Sequence, residues 1–349
     1  MSHIGSPLKK LKEDGTIDKE KFSLKHIIPT LSSKLGIPVQ FSSETVGDTV
    51  QKMANNLKNG EVLLLENTRF EKGEKTGDIH FAQQLANLAD IYINDAFGTA
   101  HRAHASTAVV ANFFSKSHKA LGLLIEKEMQ NANKVLNYPT HPMTAIVGGA
   151  KVSDKILLLD KLIDSSDNII IGGGMAYTFF KAMGGEIGNS LCEDDRLDTA
   201  KKLLKKAKAE NTNIYLPMDS VIADEFSNSA RVKLTDSDKI PKGWMGLDIG
   251  PKAIKSFCEV IENSKTILWN GPMGVFEMDA FAKGTKSIAQ SVANATQKGA
   301  FSLIGGGDSV AAIKKVGLAD KVSFISTGGG AMLEYLEGKE LPGLSLIRN

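Results

Sequence analysis

The chain has 349 residues, 42% hydrophobic and 23% charged, a composition that excludes disordered, collagen-like and mucin-like chains and leaves room for two domains or one large α/β unit. Lysine and arginine total 42 against 40 aspartate and glutamate, and a net charge of +2 does not supply the broad basic surface of a nucleic-acid binder, so nucleic acid is set aside as a main partner. The two cysteines, Cys192 and Cys258, form no CxxC pair, which excludes a disulfide framework and a cysteine zinc site and fits a reducing compartment.

From the start of the chain, MSHIGSPLKK lacks the apolar core of a signal peptide, and no run approaches the ~18 apolar residues of a membrane helix. The chain reads as soluble and cytoplasmic, with no membrane partner. VLLLEN (62–67) and IYINDAF (91–97) read as buried strands, with a helical pattern at 78–89 between them. All seven histidines lie at or before His141, which suggests two halves with different chemistry. His26, His80 and His118 sit on polar segments and read as solvated. IEKEMQNANKVLN (125–137) is helical and is stopped by Pro139 and Pro142. The domain junction is placed there, giving an N-terminal lobe 1–138, a C-terminal lobe 139–331 and a tail 332–349.

Beyond the junction, TAIVGGAK (144–151), NIIIGGG (168–174), NIYLPMD (213–219), TILWNGP (266–272), AFSLIGGG (300–307) and VSFISTGGG (322–330) read as strands ending in turns. They alternate with helical patterns at 153–164, 194–209, 251–263, 279–297 and 308–316. Strand, turn and helix in repetition mean a parallel sheet wrapped by helices.

Four of those strands end in glycine clusters, at 147–155, 170–176, 303–311 and 326–334. A glycine-rich turn between strand and helix lets backbone N–H groups approach an anion at the positive end of a helix, and ligands of open α/β sheets collect there. Four clusters in one domain point to a nucleotide. Neither GxGxxG nor GxxxxGK[ST] is present, so this is no standard dinucleotide fold or P-loop. HRAH at 101–104 is likewise not the HRD of a protein-kinase catalytic loop. Lys151 and Lys155 flank one turn, Asp308 opens a helix, and Glu277 follows WNGPMGVF. Two lysines, an acid for magnesium and a second acid for a ribose hydroxyl are the parts of a phosphoryl-transfer site. Spacing alone also allows the lysines to be a solvated pair on one helix face. In the first half, NDAFGTAHRAHAST (94–107) sets His101, Arg102 and His104 after a strand end. A guanidinium there matches a carboxylate or phosphate, while a structural role, with His104 in a satisfied buried bond, remains open.

Taken in order, ENTRF, NDAFGTAHRAHAST, GGAKVSDK, GGGMAYTF, GWMGLDIGP, WNGPMGVFE, GGGDS and STGGGA resemble the phosphoglycerate kinase family over essentially the whole chain. The resemblance implies two doubly wound parallel α/β lobes joined by a helix, with the C-terminal tail returning to the N-terminal lobe, and a monomer. It implies reversible phosphoryl transfer from 1,3-bisphosphoglycerate to ADP, giving 3-phosphoglycerate and ATP with Mg2+, in glycolysis. Lys151 and Lys155 become nucleotide-side lysines, Lys151 meeting the phosphoryl group in flight. Asn270, Gly306, Gly307, Asp308 and Ser309 take phosphates and magnesium, with Asp308 as metal ligand. Glu277 takes the ribose, and Gly246 belongs to the nucleotide site. Arg102, as a catalytic and binding group, joins His3, Gly5, Ser6 and His141 on the side of the acid substrate.

The departures carry expectations too. The family pattern SHLGRP reads SHIGSP here, so Ser6 stands where an arginine usually does, and His141 replaces a common arginine before GGAK. Met1 matches an interior family position, and the RVDFNVP strand is absent. The N-terminal lobe is therefore expected to be incomplete, and the chain from Met1 onward to show little activity. The alternative function is a non-catalytic nucleotide-binding remnant of the family. An NAD-dependent dehydrogenase is disfavoured by the missing GxGxxG.

Overall fold

The computed structural model describes residues 1–348. It divides the chain into two compact units, Met1–Glu126 with the segment from Glu340, and Lys127–Lys339. The division falls inside the helix Leu123–Leu136 rather than after residue 138. Near that helix's start the backbone N–H of Ile125 donates to Asp95 Oδ1 (3.0 Å) in the first unit, whereas Glu128 Oε1 accepts the N–H and hydroxyl of Thr327 (both 2.7 Å) in the second. The tail joins the first unit only from Glu340, because Met332 and Leu336 are fully buried in the second.

The first unit carries β1 (Val39–Phe41), β2 (Val62–Leu64), β3 (Tyr92–Asn94) and β4 (Lys119–Leu121). These pair as two separate parallel ribbons, β1 with β2 and β3 with β4. Among the described residues β2 and β3 are each paired on one side only. Both line an apolar slot of about 280 Å³ that includes Leu63, Leu65, Leu85, Tyr92 and Ile93. Parallel strands ordinarily bury both faces, yet Ile93 is 62% exposed. The helix Ile79–Ala86 packs Phe81, Ala82 and Leu85 into a core with Tyr92, Val110 and Ile347. The C-terminal helix Pro342–Arg348 is held by Asn94 Nδ2 on the Gly343 carbonyl (3.0 Å) and Lys119 Nζ on that of Leu346 (2.7 Å).

The second unit runs β5 (Met143–Val147), β6 (Asn168–Ile171), β7 (Glu186–Ile187), β8 (Asn213–Tyr215), β9 (Asp219–Ala223), β10 (Val232–Asp236), β11 (Lys239–Ile240), β12 (Met245–Ile249), β13 (Thr266–Asn270), β14 (Phe301–Gly305) and β15 (Phe324–Ile325). Six of them form a parallel sheet in the order β15-β14-β13-β5-β6-β8. Every residue of β5 and β13 is buried, as a sheet covered by helices on both faces requires. Trp269, Phe257 and Ile288 fill one such face. Two features go beyond the sequence reading: an antiparallel sheet β10-β9-β12 and a small parallel pair β11-β7. Chain order runs outward from β5 through β6 to β8 and from β13 through β14 to β15. The strand order therefore reverses between β5 and β13, and ligands of such sheets bind at that point, beyond the strands' carboxyl ends.

Candidate functional site

Two adjoining cavities open at this reversal, both within the second unit. The first, about 680 Å³, is lined by the turn Gly148–Lys151, by Ser153–Lys155, by Asn270–Pro272, by Gly306–Ser309, and by Gly329 and Glu337. The second, about 500 Å³, is lined by Gly173, Tyr177, Leu191, Gly246, Leu247 and Val275 among others, with Glu277 at its edge. Gly149, Ala150, Pro272 and Asp308 line both. The first is the more polar and is rich in backbone groups, the second mainly apolar, so together they fit an anionic chain joined to a flat ring system.

Bare Cα atoms let these turns interlock. The Gly148 N–H donates to the Asn270 carbonyl (3.0 Å), and a Cβ on Gly173 (φ +69°) would stand 2.5 Å from the Gly149 carbonyl oxygen. At the end of β13, Lys155 Nζ donates to Asn270 Oδ1, while Asn270 Nδ2 is buried without a partner. Burial pulls the Lys155 pKa below the usual lysine value, against the opposing pull of Asp154, Glu337 and Asp308. A half-buried ammonium beside an unused amide donor is prepared for an anion. Ser309 is 0% exposed, and its Oγ accepts the Gly271 N–H at 2.5 Å, so it holds the WNGP turn in shape. Asp308, in the first turn of the helix Gly307–Lys315, is exposed, as are Lys151 and Glu277. In the apolar cavity Asp248 accepts the N–H groups of Ile249 (2.9 Å) and Gly284 (2.7 Å), and burial raises its pKa to about 7.

The first unit gathers a different set. His3, Arg69, Lys75, Arg102 and His104 lie close enough that burial first, and then the charges of Arg69, His104, Arg102 and Lys75, push the His3 pKa down to about 4. His104 is likewise pushed to about 4, by burial and then by Arg69, Arg102 and Lys75. Arg69 Nη1 donates to the Gly5 carbonyl (2.7 Å), and Lys75 Nζ to Ser6 Oγ (3.2 Å). Among the described residues neither arginine nor Lys75 makes an ion pair with a carboxylate. Glu74, whose charge acts on Arg69, is 0% exposed and accepts the Ser106 N–H (3.0 Å) and hydroxyl (2.6 Å). That pairing sets the backbone of the HRAHAST loop. A cluster of cationic and imidazole groups with no carboxylate ion pair is suited to an anion.

Two α/β units, a nucleotide-shaped pair of cavities and an anion cluster in one chain narrow the field, and comparison with known proteins decides it. The family profile "Phosphoglycerate kinase" matches residues 1–339. The chain belongs to the phosphoglycerate kinase family. It is 48% identical over 370 residues to "Phosphoglycerate kinase" of Porphyromonas gingivalis (strain ATCC BAA-308 / W83), covering 99% of this chain and 87% of that protein. It is 53% identical over 343 residues to "Phosphoglycerate kinase 3, cytosolic" of Arabidopsis thaliana, covering 98% and 83%. Among solved structures, phosphoglycerate kinase from Coxiella burnetii superposes with a TM-score of 0.85 at 40% identity, over 97% of this chain and 84% of that one. The enzyme from Pyrococcus horikoshii OT3 gives 0.74 at 28% identity, with the same coverages.

Within this phosphoglycerate kinase fold, Lys151, Lys155, Asn270, Gly306, Gly307, Asp308 and Ser309 all line the first cavity, and Gly246 and Glu277 the second. His3, Gly5, Ser6 and Arg102 converge in the first unit. His141 is not brought to either place. It lies before the amino end of β5, opposite the glycine turns, where its Nδ1 meets Asp167 Oδ2 at 2.6 Å. That same carboxylate oxygen accepts the Met143 N–H (2.6 Å), so the pair anchors the strand's start. Arg69 and Lys75 were not singled out in the sequence, and His104 was left open between a site role and a structural one. Arg69 stands inside ENTRF, in the turn Thr68–Phe70 that follows β2, a signal the sequence did carry. His104 lacks the satisfied bond that a structural role required, since its buried Nδ1 has no partner.

Proposed function

We propose that this chain catalyses reversible phosphoryl transfer between 1,3-bisphosphoglycerate and ADP, giving 3-phosphoglycerate and ATP, with the nucleotide held by the second unit and the acid substrate by the first. The reading is carried by the paired cavities at the strand-order reversal, one edged with lysines and glycine turns and the other apolar. The base and ribose take the apolar cavity, against Gly246 and with Glu277 on a ribose hydroxyl. The phosphates take the polar cavity, where the N–H groups after Gly306 and Gly307 and the Lys155–Asn270 pair meet their oxygens.

No three acidic, histidine or cysteine groups are clustered as a metal cage among the described residues. An exposed Asp308 beside the phosphate turns suits Mg2+ brought in on the nucleotide, which keeps most of its ligands as water and phosphate oxygen. The bound ion would neutralise charge on the terminal phosphates. Lys151, exposed and free to follow the transferring group, offsets charge that develops on its equatorial oxygens. Arg102 and His3, with Arg69 and His104, hold and neutralise the phosphorylated acid. No general base is needed, because an acyl phosphate and ADP react once aligned and charge-neutralised.

The relative named as cytosolic and two free cysteines support a cytoplasmic place, and we read the working form as a monomer that binds no nucleic acid. Calorimetric titration tests the nucleotide half: MgADP and MgATP should bind in the millimolar range or tighter. A folded chain that binds neither would overturn the assignment.

A further inference from the structure

We propose that Lys75 is a substrate-anchoring cation of the anion cluster in the first unit, presenting at position 6 the positive charge that Ser6 itself lacks. The proposal rests on the acid-substrate reading above and adds a residue to it. Lys75 comes from the short helix Lys72–Thr76, after Arg69 in sequence, yet its Nζ reaches across 69 positions to Ser6 Oγ at 3.2 Å. An ammonium has three donors, and this is the one hydrogen bond it makes among the described residues, so two donors remain for a ligand. No carboxylate competes for them: Glu74 is committed to Ser106, and Glu71 Oε1 accepts the Thr45 hydroxyl (2.9 Å).

Electrostatics points the same way. Lys75 is among the groups that depress both His3 and His104, which sets its charge within reach of the ring atoms that close the cluster. Its own pKa is lowered by burial first and then by Arg69, Lys9 and Arg102. A lysine with only a structural hydroxyl contact would gain by turning into solvent, away from three like charges. Held where it is, it gains when a phosphorylated anion arrives.

The test is calorimetric titration of the full chain and of Lys75→Ala and Lys75→Arg with 3-phosphoglycerate, and separately with MgADP. Loss of one charge-assisted contact predicts about 10- to 100-fold weaker 3-phosphoglycerate binding for Lys75→Ala. Lys75→Arg should recover most of that loss, and both variants should bind MgADP as the parent does. Lys75→Ala within about threefold of the parent would overturn the proposal, and so would a Lys75→Arg variant as weak as the alanine, since the charge would then not be what matters. A parent chain that binds MgADP but not 3-phosphoglycerate would instead overturn the acid-substrate reading, and the role of Lys75 with it. Should Lys75→Ala not fold, Lys75→Met replaces it and is held to the same limits.

Discussion

Lys155→Met is the sharpest probe of the nucleotide site because it removes a charge while keeping most of the side chain's length. In the parent the ammonium is half-buried, its pKa is lowered by that burial, and it donates to Asn270 Oδ1. Two stability effects oppose each other. Removing the ammonium relieves its desolvation, whereas Asn270 Oδ1 loses a buried partner, at a cost of about 1–3 kcal/mol. We expect them to cancel to within about 1 kcal/mol, so that thermal unfolding moves by only a few degrees. Binding has no such cancellation. A hydrogen bond from an ammonium to a phosphate contributes about 1.5–3 kcal/mol, so MgADP affinity should fall about 10- to 100-fold. Calorimetry of MgADP with both proteins, beside their melting curves, measures each effect separately. An affinity within threefold of the parent would refute the placement of Lys155 on the phosphates. Unchanged affinity with a large loss of stability would make the residue a structural clamp on β13.

Lys151→Ala should lower kcat by about 10²- to 10³-fold while changing ADP affinity little, because the exposed ammonium acts on charge that develops only during transfer; steady-state kinetics with an unchanged kcat and a raised KM would contradict this. Gly246→Ala should both destabilise the second unit by about 1–3 kcal/mol and weaken nucleotide binding, since the new Cβ would fall 2.8 Å from Tyr177 Cε1 and closer still to its hydroxyl; parent-like melting and affinity would show that the apolar cavity has room to spare. With their folded-state pKa values pushed to about 4 from an ordinary 6.5, His3 and His104 bind fewer protons in the folded than in the unfolded chain between those limits. Their contribution is therefore present above pH 6.5 and lost as pH falls toward 4. Histidine NMR titrations should give these low values, and 3-phosphoglycerate should raise them; ordinary values without ligand would remove the electrostatic case for the cluster.

How far the sequence could be read follows from what each feature depends on. Strands such as β5, β13 and β14 announce themselves because each is a continuous apolar run closed by glycine, and such a run has few alternatives to a buried parallel strand. The three-residue strands β1 and β4 are too short to carry a period, and their pairing depends on distant partners. The antiparallel sheet β10-β9-β12 escaped because β10 is mostly exposed and polar. In the site, GGGDS falls at a turn that lines the first cavity, but that the Ser309 hydroxyl supports Gly271 is a matter of packing across 38 positions. The lysine in KGEK reads in isolation as one more solvated charge. Only the fold sets its Nζ against the Ser6 hydroxyl. For His141 the family pattern before GGAK implied the acid-substrate side, whereas the fold sets it at the amino end of β5 against Asp167, a pairing that depends on a residue 26 positions away.

In the proposed reaction one chain joins a nucleotide and a phosphorylated acid in phosphoryl transfer. The direct measurement is phosphorus NMR of the purified chain with MgATP and 3-phosphoglycerate, using hydroxylamine to trap the acyl phosphate. ADP and inorganic phosphate should form in step with the trapped hydroxamate, and only when 3-phosphoglycerate is present. MgATP that binds tightly but is not consumed in response to 3-phosphoglycerate would contradict it and leave a nucleotide-binding protein without the transfer.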